Sequence, residues 1–148
     1  AEFILGLLNE PSFLRYIGDR GVRTVEDARA YIAKGPIDSY DRHGFGLLLV
    51  SRKEDGVPIG MCGLLRRDAL PDVDVGFAFL PAFWGKGYAF ESAAAVLSYG
   101  REVLGLNRIV AITSPENEGS IRVLTKLGMR FEGMIRLADS EPEVRLFA

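Results

Sequence analysis

The chain has 148 residues, of which 48% are hydrophobic and 26% charged, with a formal net charge of -2. That size and balance describe one globular domain with a real core, and the slight acidity speaks against a general nucleic-acid binder. With Cys62 the only cysteine and His43 the only histidine, an intrachain disulfide is impossible, and a cysteine metal cluster, a zinc catalytic centre or a serine–histidine hydrolase is disfavoured.

No apolar run reaches the length needed to cross a bilayer, so a cytoplasmic protein without a membrane partner is expected. Residues 1–9 carry Phe3, Ile4, Leu7 and Leu8 at helical spacing, and residues 11–17 repeat the pattern with Phe13, Leu14 and Ile17. Thr24 and Asp27 have the spacing of a capping box, which predicts a helix over 25–34 that ends at Gly35-Pro36. Residues 44–52 read as a largely buried strand. The turn chemistry of Glu54-Asp55-Gly56 then returns the chain over 57–66 as a hairpin. Cys62 falls in the second strand with no cation nearby in sequence, so a buried, inert thiol is expected.

Residues 72–80 alternate clearly. Val73, Val75, Phe77 and Phe79 share one face, while Asp74, Gly76 and Ala78 share the other, leaving space there for a ligand or a close helix. The strand stops at Pro81, a glycine loop follows, and a helix over 88–104 places Ala89, Ala93, Val96, Leu97, Gly100, Val103 and Leu104 on one stripe. Small residues on that stripe let the helix lie close to a sheet. Gly105 stops it, and residues 108–113 form the next strand. Asn117 caps a helix ending at Gly128, a fitting left-handed residue beyond the C-terminus. Strands over 129–137 and 144–147 close the chain, the last expected at an edge. This order predicts an α/β (α+β) domain, a mixed sheet with helices on both faces, over residues 1–148.

The loop between Pro81 and Tyr88 is where the chemistry concentrates. Free N–H groups of a first helical turn, with the positive end of the helix dipole, suit an anion such as a pyrophosphate. Gly85 and Gly87 let the backbone approach it closely. A nucleoside-triphosphate loop needs Ser or Thr after its lysine, and Lys86 is followed by Gly87. A dinucleotide fingerprint needs a third glycine where Phe90 stands.

Trp84-Gly85-Lys86-Gly87-Tyr88-Ala89, between a strand and a helix, resembles the acyl-CoA pyrophosphate loop of the GNAT superfamily of N-acetyltransferases. Most members begin the loop with Gln or Arg; Trp84 resembles the branch of the ribosomal-protein alanine/serine N-terminal acetyltransferases. The run from Asn117 to Met129, followed by Glu132-Gly133 and Arg136, resembles that branch's second signature.

The resemblance implies a largely antiparallel sheet of about six to seven strands whose central strands splay to form an acyl-CoA cleft, with the first helices covering the acceptor. It also leads us to expect a strand before residue 1. Acetyl-CoA is implied as co-substrate, with no metal, and a small-molecule or peptide amine as acceptor, possibly a protein N-terminal α-amine; a monomer or homodimer fits. Trp84, Gly85, Lys86, Gly87, Tyr88 and Ala89 would meet the pyrophosphate. Backbone groups at about Phe79 and Leu80 would pair with the pantetheine arm, and Asn117 would touch it. Leu124 stands where many members have a tyrosine acid, which leaves Ser120 as the alternative proton donor to the departing thiolate. Asp74 matches a family acid and is the expected general base, reached through a chain of water. Glu91 is expected only to favour the helix dipole, and His43 to lie on the surface or the acceptor rim. A non-catalytic acyl-CoA-binding module is the alternative reading.

Overall fold

The computed structural model describes residues 1–148. Helices α1 (Glu2–Leu8), α2 (Pro11–Tyr16), α3 (Val25–Ile32) and α4 (Asp38–His43) precede strands β1 (Leu47–Ser51), β2 (Pro58–Leu65) and β3 (Val73–Phe79). Helix α5 (Tyr88–Glu102), β4 (Ile109–Thr113), α6 (Glu118–Lys126), β5 (Phe131–Ile135) and β6 (Val144–Phe147) complete the chain. No helix is long and apolar enough to cross a membrane.

The six strands form one sheet in the order β1-β2-β3-β4-β6-β5. All neighbours run antiparallel except β3 and β4, the single parallel pair. Expected as an edge, 144–147 instead lies between β4 and β5, because Ala111 pairs with Phe147 on one side and Phe131 with Phe147 on the other. Burial of Phe147 at 3% exposure is the physical reason: an edge strand would leave that ring in water.

Alternation along the strands feeds two cores. On one face Cys62, Leu64, Val73 and Val75 meet Ala93 and Leu97 of α5 and Leu124 of α6. On the other, Met61 meets Leu7 and Leu8 of α1, Phe13 of α2 and Ala28 of α3. The small stripe on α5 packs close at Ala93, Leu97 and Gly100, where an added Cβ would sit 2.8 Å from Ile109 Cδ1, but Val103 of the expected stripe lies past the helix end and is exposed.

Helix α3 opens with the anticipated box, Thr24 Oγ1 accepting from Asp27 N–H at 3.0 Å while the Asp27 carboxylate accepts from Thr24 N–H at 3.2 Å. Its end differs from expectation. Gly35-Pro36 does not stop the chain, which widens into a π-helical turn over Ala33–Ile37 and continues as α4. Pro36 lacks an N–H, and the wider turn absorbs the lost bond without breaking the helical path. His43 therefore ends a helix, stacked on Phe45 with ring centroids 5.6 Å apart.

Candidate functional site

Strands β3 and β4 pair at only two positions, Val73 with Ile109 and Asp74 with Val110. Beyond Asp74 they part, and a cleft of about 990 Å³ opens between them, within the usual range of ligand pockets. Phe77, Ala78 and Phe79 line one wall, residues 115–120 the other, and Phe13, Arg15 and Tyr16 of α2 close one end. The glycine loop and the first turn of α5 form the opposite end.

The loop follows a short 3-10 turn, Pro81–Phe83, and enters α5 through Gly85 at φ 73° and Gly87 at φ 87°. Both angles lie in the region that only glycine adopts freely. Helix α5 has no side-chain cap, and the N–H groups of residues 85–90 make no hydrogen bond within the chain; the first to do so is Glu91 N–H, to Gly87 O at 2.9 Å. Trp84 fixes the loop from outside, its indole Nε1 donating to Phe79 O at 2.8 Å.

The structure brings Phe79, Trp84, Gly85, Gly87, Tyr88, Ala89, Asn117 and Ser120 around this cleft. Of the three others chosen from sequence, Lys86 keeps its backbone N–H in the loop with its side chain turned away, and Leu80 and Asp74 lie outside the lining. Lys86 is exposed on the loop, its Nζ 5.9 Å from the centre of the Phe83 ring. Leu80 is a correction: its N–H donates to Ile59 O at 2.9 Å, so it is spent on β2. Alternation then turns the backbone groups of Phe77 and Phe79 toward the open edge of β3.

Asp74 lies deeper than the cleft lining. It sits at the last rung before the strands part, 1% exposed, with Arg67 Nε donating to its two carboxylate oxygens at 3.0 and 3.3 Å. Burial outweighs the guanidinium and pushes the carboxyl above its usual range. Its side chain is not among those lining the cleft, so a role as base would run through water. Asp74 thus lies just below the opening.

On the far wall, Asn117 Oδ1 caps α6 by accepting from Ser120 N–H at 3.2 Å. Ser120 Oγ has no partner within the chain. Leu124 is 1% exposed in the core, so a hydroxyl at that position would face α5 and the sheet. Glu116, in the loop before α6, accepts from Ser114 Oγ at 2.7 Å, which holds its carboxyl below the usual range. Cys62 is buried and its thiol pushed up to about 12 by burial, as an inert core residue. Glu91 lies in the first turn of α5, and His43 is absent from the cleft lining.

Sequence reasoning missed the α2 wall and two basic residues of α6, Arg122 and Lys126. Their spacing of four would have put them on one helix face, but nothing in the sequence says that the face lines a cleft.

Comparison with known proteins agrees with this geometry. Residues 1–130 match the family model described as an acetyltransferase (GNAT) domain. The chain is 37% identical over 128 residues to the uncharacterized N-acetyltransferase YnaD of Bacillus subtilis (strain 168), covering 86% of this chain and 72% of that one. A GNAT-family acetyltransferase from Bacillus anthracis superposes with a TM-score of 0.78 at 28% identity, over 99% of this chain and 86% of the other. Spermidine N-acetyltransferase from Vibrio cholerae, in complex with CoA and spermine, shares the fold with a TM-score of 0.78 at 17% identity, over 99% of this chain and 86% of that chain.

Proposed function

This chain belongs to the GNAT acetyltransferase family, and we propose that it moves the acetyl group of acetyl-CoA onto a primary amine held in the cleft between β3 and β4. The observation that carries the assignment of the site is the run of unbonded N–H groups at residues 85–90, placed where two neighbouring strands separate.

The residues present fit the cofactor. A diphosphate offers anionic acceptors only, and this helix start offers donors and a positive dipole end with nothing of its own to satisfy them. A Cβ added at Gly85 or Gly87 would meet nothing within 4 Å, so their exposed face is open to a ligand and the glycines serve the backbone angle. The free edge of β3 at Phe77, with the Phe79 N–H beside it since the Phe79 carbonyl is taken by Trp84, suits the amides of a pantetheine arm in the manner of an added strand. Asn117 and Ser120 flank the same path from α6.

In the transfer, the acceptor nitrogen bonds to the thioester carbon, the carbon–sulfur bond breaks and the sulfur leaves with the electron pair. Ser120 Oγ, free of internal partners, is our donor to that sulfur. An N-terminal α-amine, with a pKa near 8, is neutral often enough at neutral pH to attack and to pass its proton to water. Such an amine on a peptide is our leading acceptor. The carboxylates of Glu10, Glu116 and Glu118 along the cleft suit an amine that arrives as a cation. Positioning in such a site supplies on the order of 7 to 11 kcal/mol, so a sparse set of catalytic groups is sufficient. A cytoplasmic setting is part of the same proposal.

Free thiol release from acetyl-CoA, followed against N-terminal peptides, spermidine and simple amines, tests the assignment. Release that depends on an amine is expected. Binding of CoA with no release across the panel would reduce the protein to a cofactor-binding module.

A further inference from the structure

The acyl donor is gripped at two places, its diphosphate by the amides of residues 85–90 and its pantetheine arm by the edge of β3. Transfer needs the thioester at one point along the cleft, so the spacing between the two grips matters as much as either grip.

Residues 80–84 set that spacing, and they are tied down one by one. Leu80 N–H donates to Ile59 O at 2.9 Å, Phe83 N–H to Leu80 O at 2.9 Å and Trp84 N–H to Pro81 O at 3.1 Å. The first of these bonds holds to β2, and the other two close the 3-10 turn on itself. It is the indole of Trp84 that reaches back to β3, donating to the carbonyl five residues earlier, Phe79 O, at 2.8 Å. The ring is 51% exposed, so it contributes little to either core. Gly85 and Gly87 follow at φ 73° and 87°, and the next N–H bonded within the chain is that of Glu91. The indole bond also spends the Phe79 carbonyl, which leaves the arm Phe77 N–H, Phe77 O and Phe79 N–H on the open edge.

We propose, on the cofactor site read above, that Trp84 is a positioning residue. Its bond to Phe79 is a strut that fixes the distance between the diphosphate grip and the strand carrying the arm, and so where the thioester stands against Ser120. It acts through Phe79 and takes no part in the chemistry itself.

Acetyl-CoA uses both grips, whereas acetylpantetheine, which lacks the nucleotide diphosphate, uses the arm alone. Turnover of each donor at saturation by wild type and by Trp84→Phe therefore separates the spacing from the grips. Wild type should turn over acetyl-CoA at least about tenfold faster, because binding at the remote diphosphate is realised in kcat. That advantage should shrink about tenfold in the variant, less than the roughly 10²-fold that a 1 Å misplacement can cost, while CoA affinity by calorimetry falls less than about threefold. An advantage that survives in Trp84→Phe would overturn the strut, and a tenfold or larger loss of CoA affinity beside it would make Trp84 part of the diphosphate grip. Wild type that uses acetyl-CoA but not acetylpantetheine would show that the arm has no hold of its own, which removes the strut's second end. No turnover of either donor by wild type would take away the transferase reading, and the strut with it. A melting curve verifies that the variant folds. Trp84 is also the single tryptophan, so its indole N–H gives one resonance in wild type. That proton should stay protected from water when CoA is added; faster exchange would show the bond opening as the cofactor arrives and would overturn the proposal without any substitution.

Discussion

Helices α3 and α5 begin in opposite ways. Thr24 and Asp27 satisfy each other's backbone donors at the start of α3, whereas α5 starts at a glycine with its first-turn N–H groups unused. Both starts cost the chain something: the first fixes two side chains, the second leaves donors that only water or a ligand can meet. A start that breaks the local rule of satisfaction marks binding, and a start that obeys it marks stability.

The sharpest way to break that contrast is to give α5 an acidic cap of its own. Gly87→Asp places a carboxylate among the free amides, and like charges about 4 Å apart at an effective dielectric near 20 repel by about 4 kcal/mol. CoA affinity should fall at least ~100-fold by calorimetry, well beyond the fall in Gly87→Asn, which shares the backbone strain without the charge. Equal losses in the two variants would mean that the angle at Gly87, not its open donors, is what matters.

Asp74 extends the contrast to a polar group that is satisfied and buried. Asp74→Asn keeps the shape and removes the charge, and because burial outweighs Arg67 at this carboxyl and Arg67 itself is 31% exposed, a loss of about 1 kcal/mol or less is expected. Urea denaturation measures the loss, while the pH dependence of turnover should stay where it is. A displaced acidic limb would return Asp74 to the reaction.

Ser120→Ala should lower turnover about tenfold at unchanged CoA affinity, less than the 10²- to 10⁴-fold typical of a general acid because water can replace the hydroxyl. Thr24→Ala, at the closed start, should cost about 1 kcal/mol in urea and leave CoA binding alone.

The smallest effect is one of pH. Burial raises the Asp74 carboxyl above its value of 3.8, so the folded chain holds that proton more tightly than the unfolded one. This group's contribution is therefore fully present below 3.8 and declines as pH rises through the raised folded value. The stability difference between wild type and Asp74→Asn should favour wild type more at the acid end of that window.

Much of this contrast could be read from residues. Thr24 with Asp27, and Gly85 with Gly87, are local signals, because capping and positive φ depend on neighbours in sequence. The element order, apart from α4, followed from periodicity for the same reason. Three things did not. Where β3 and β4 part is a matter of register between distant segments, so Asp74 and Leu80 were assigned to a cleft that begins beyond the one and faces away from the other. The insertion of β6 beside β4 depends on which partner buries Phe147, and four residues carry no mark of that choice. Arg122 and Lys126 were overlooked because a basic pair on a helix reads as a solvated face until the opposite wall is known.

The brief pairing of β3 with β4 has a thermodynamic corollary. Of the five residues of β4, two are matched to β3, so each strand keeps an unzipped border inside the molecule. Whatever fills that gap binds the folded chain and not the unfolded one, and adds RT ln(1 + [L]/Kd) to its stability, about 2.7 kcal/mol at a hundredfold excess over Kd. The melting temperature of this protein should therefore track the concentration of its thioester, which makes thermal shift a direct gauge of occupancy.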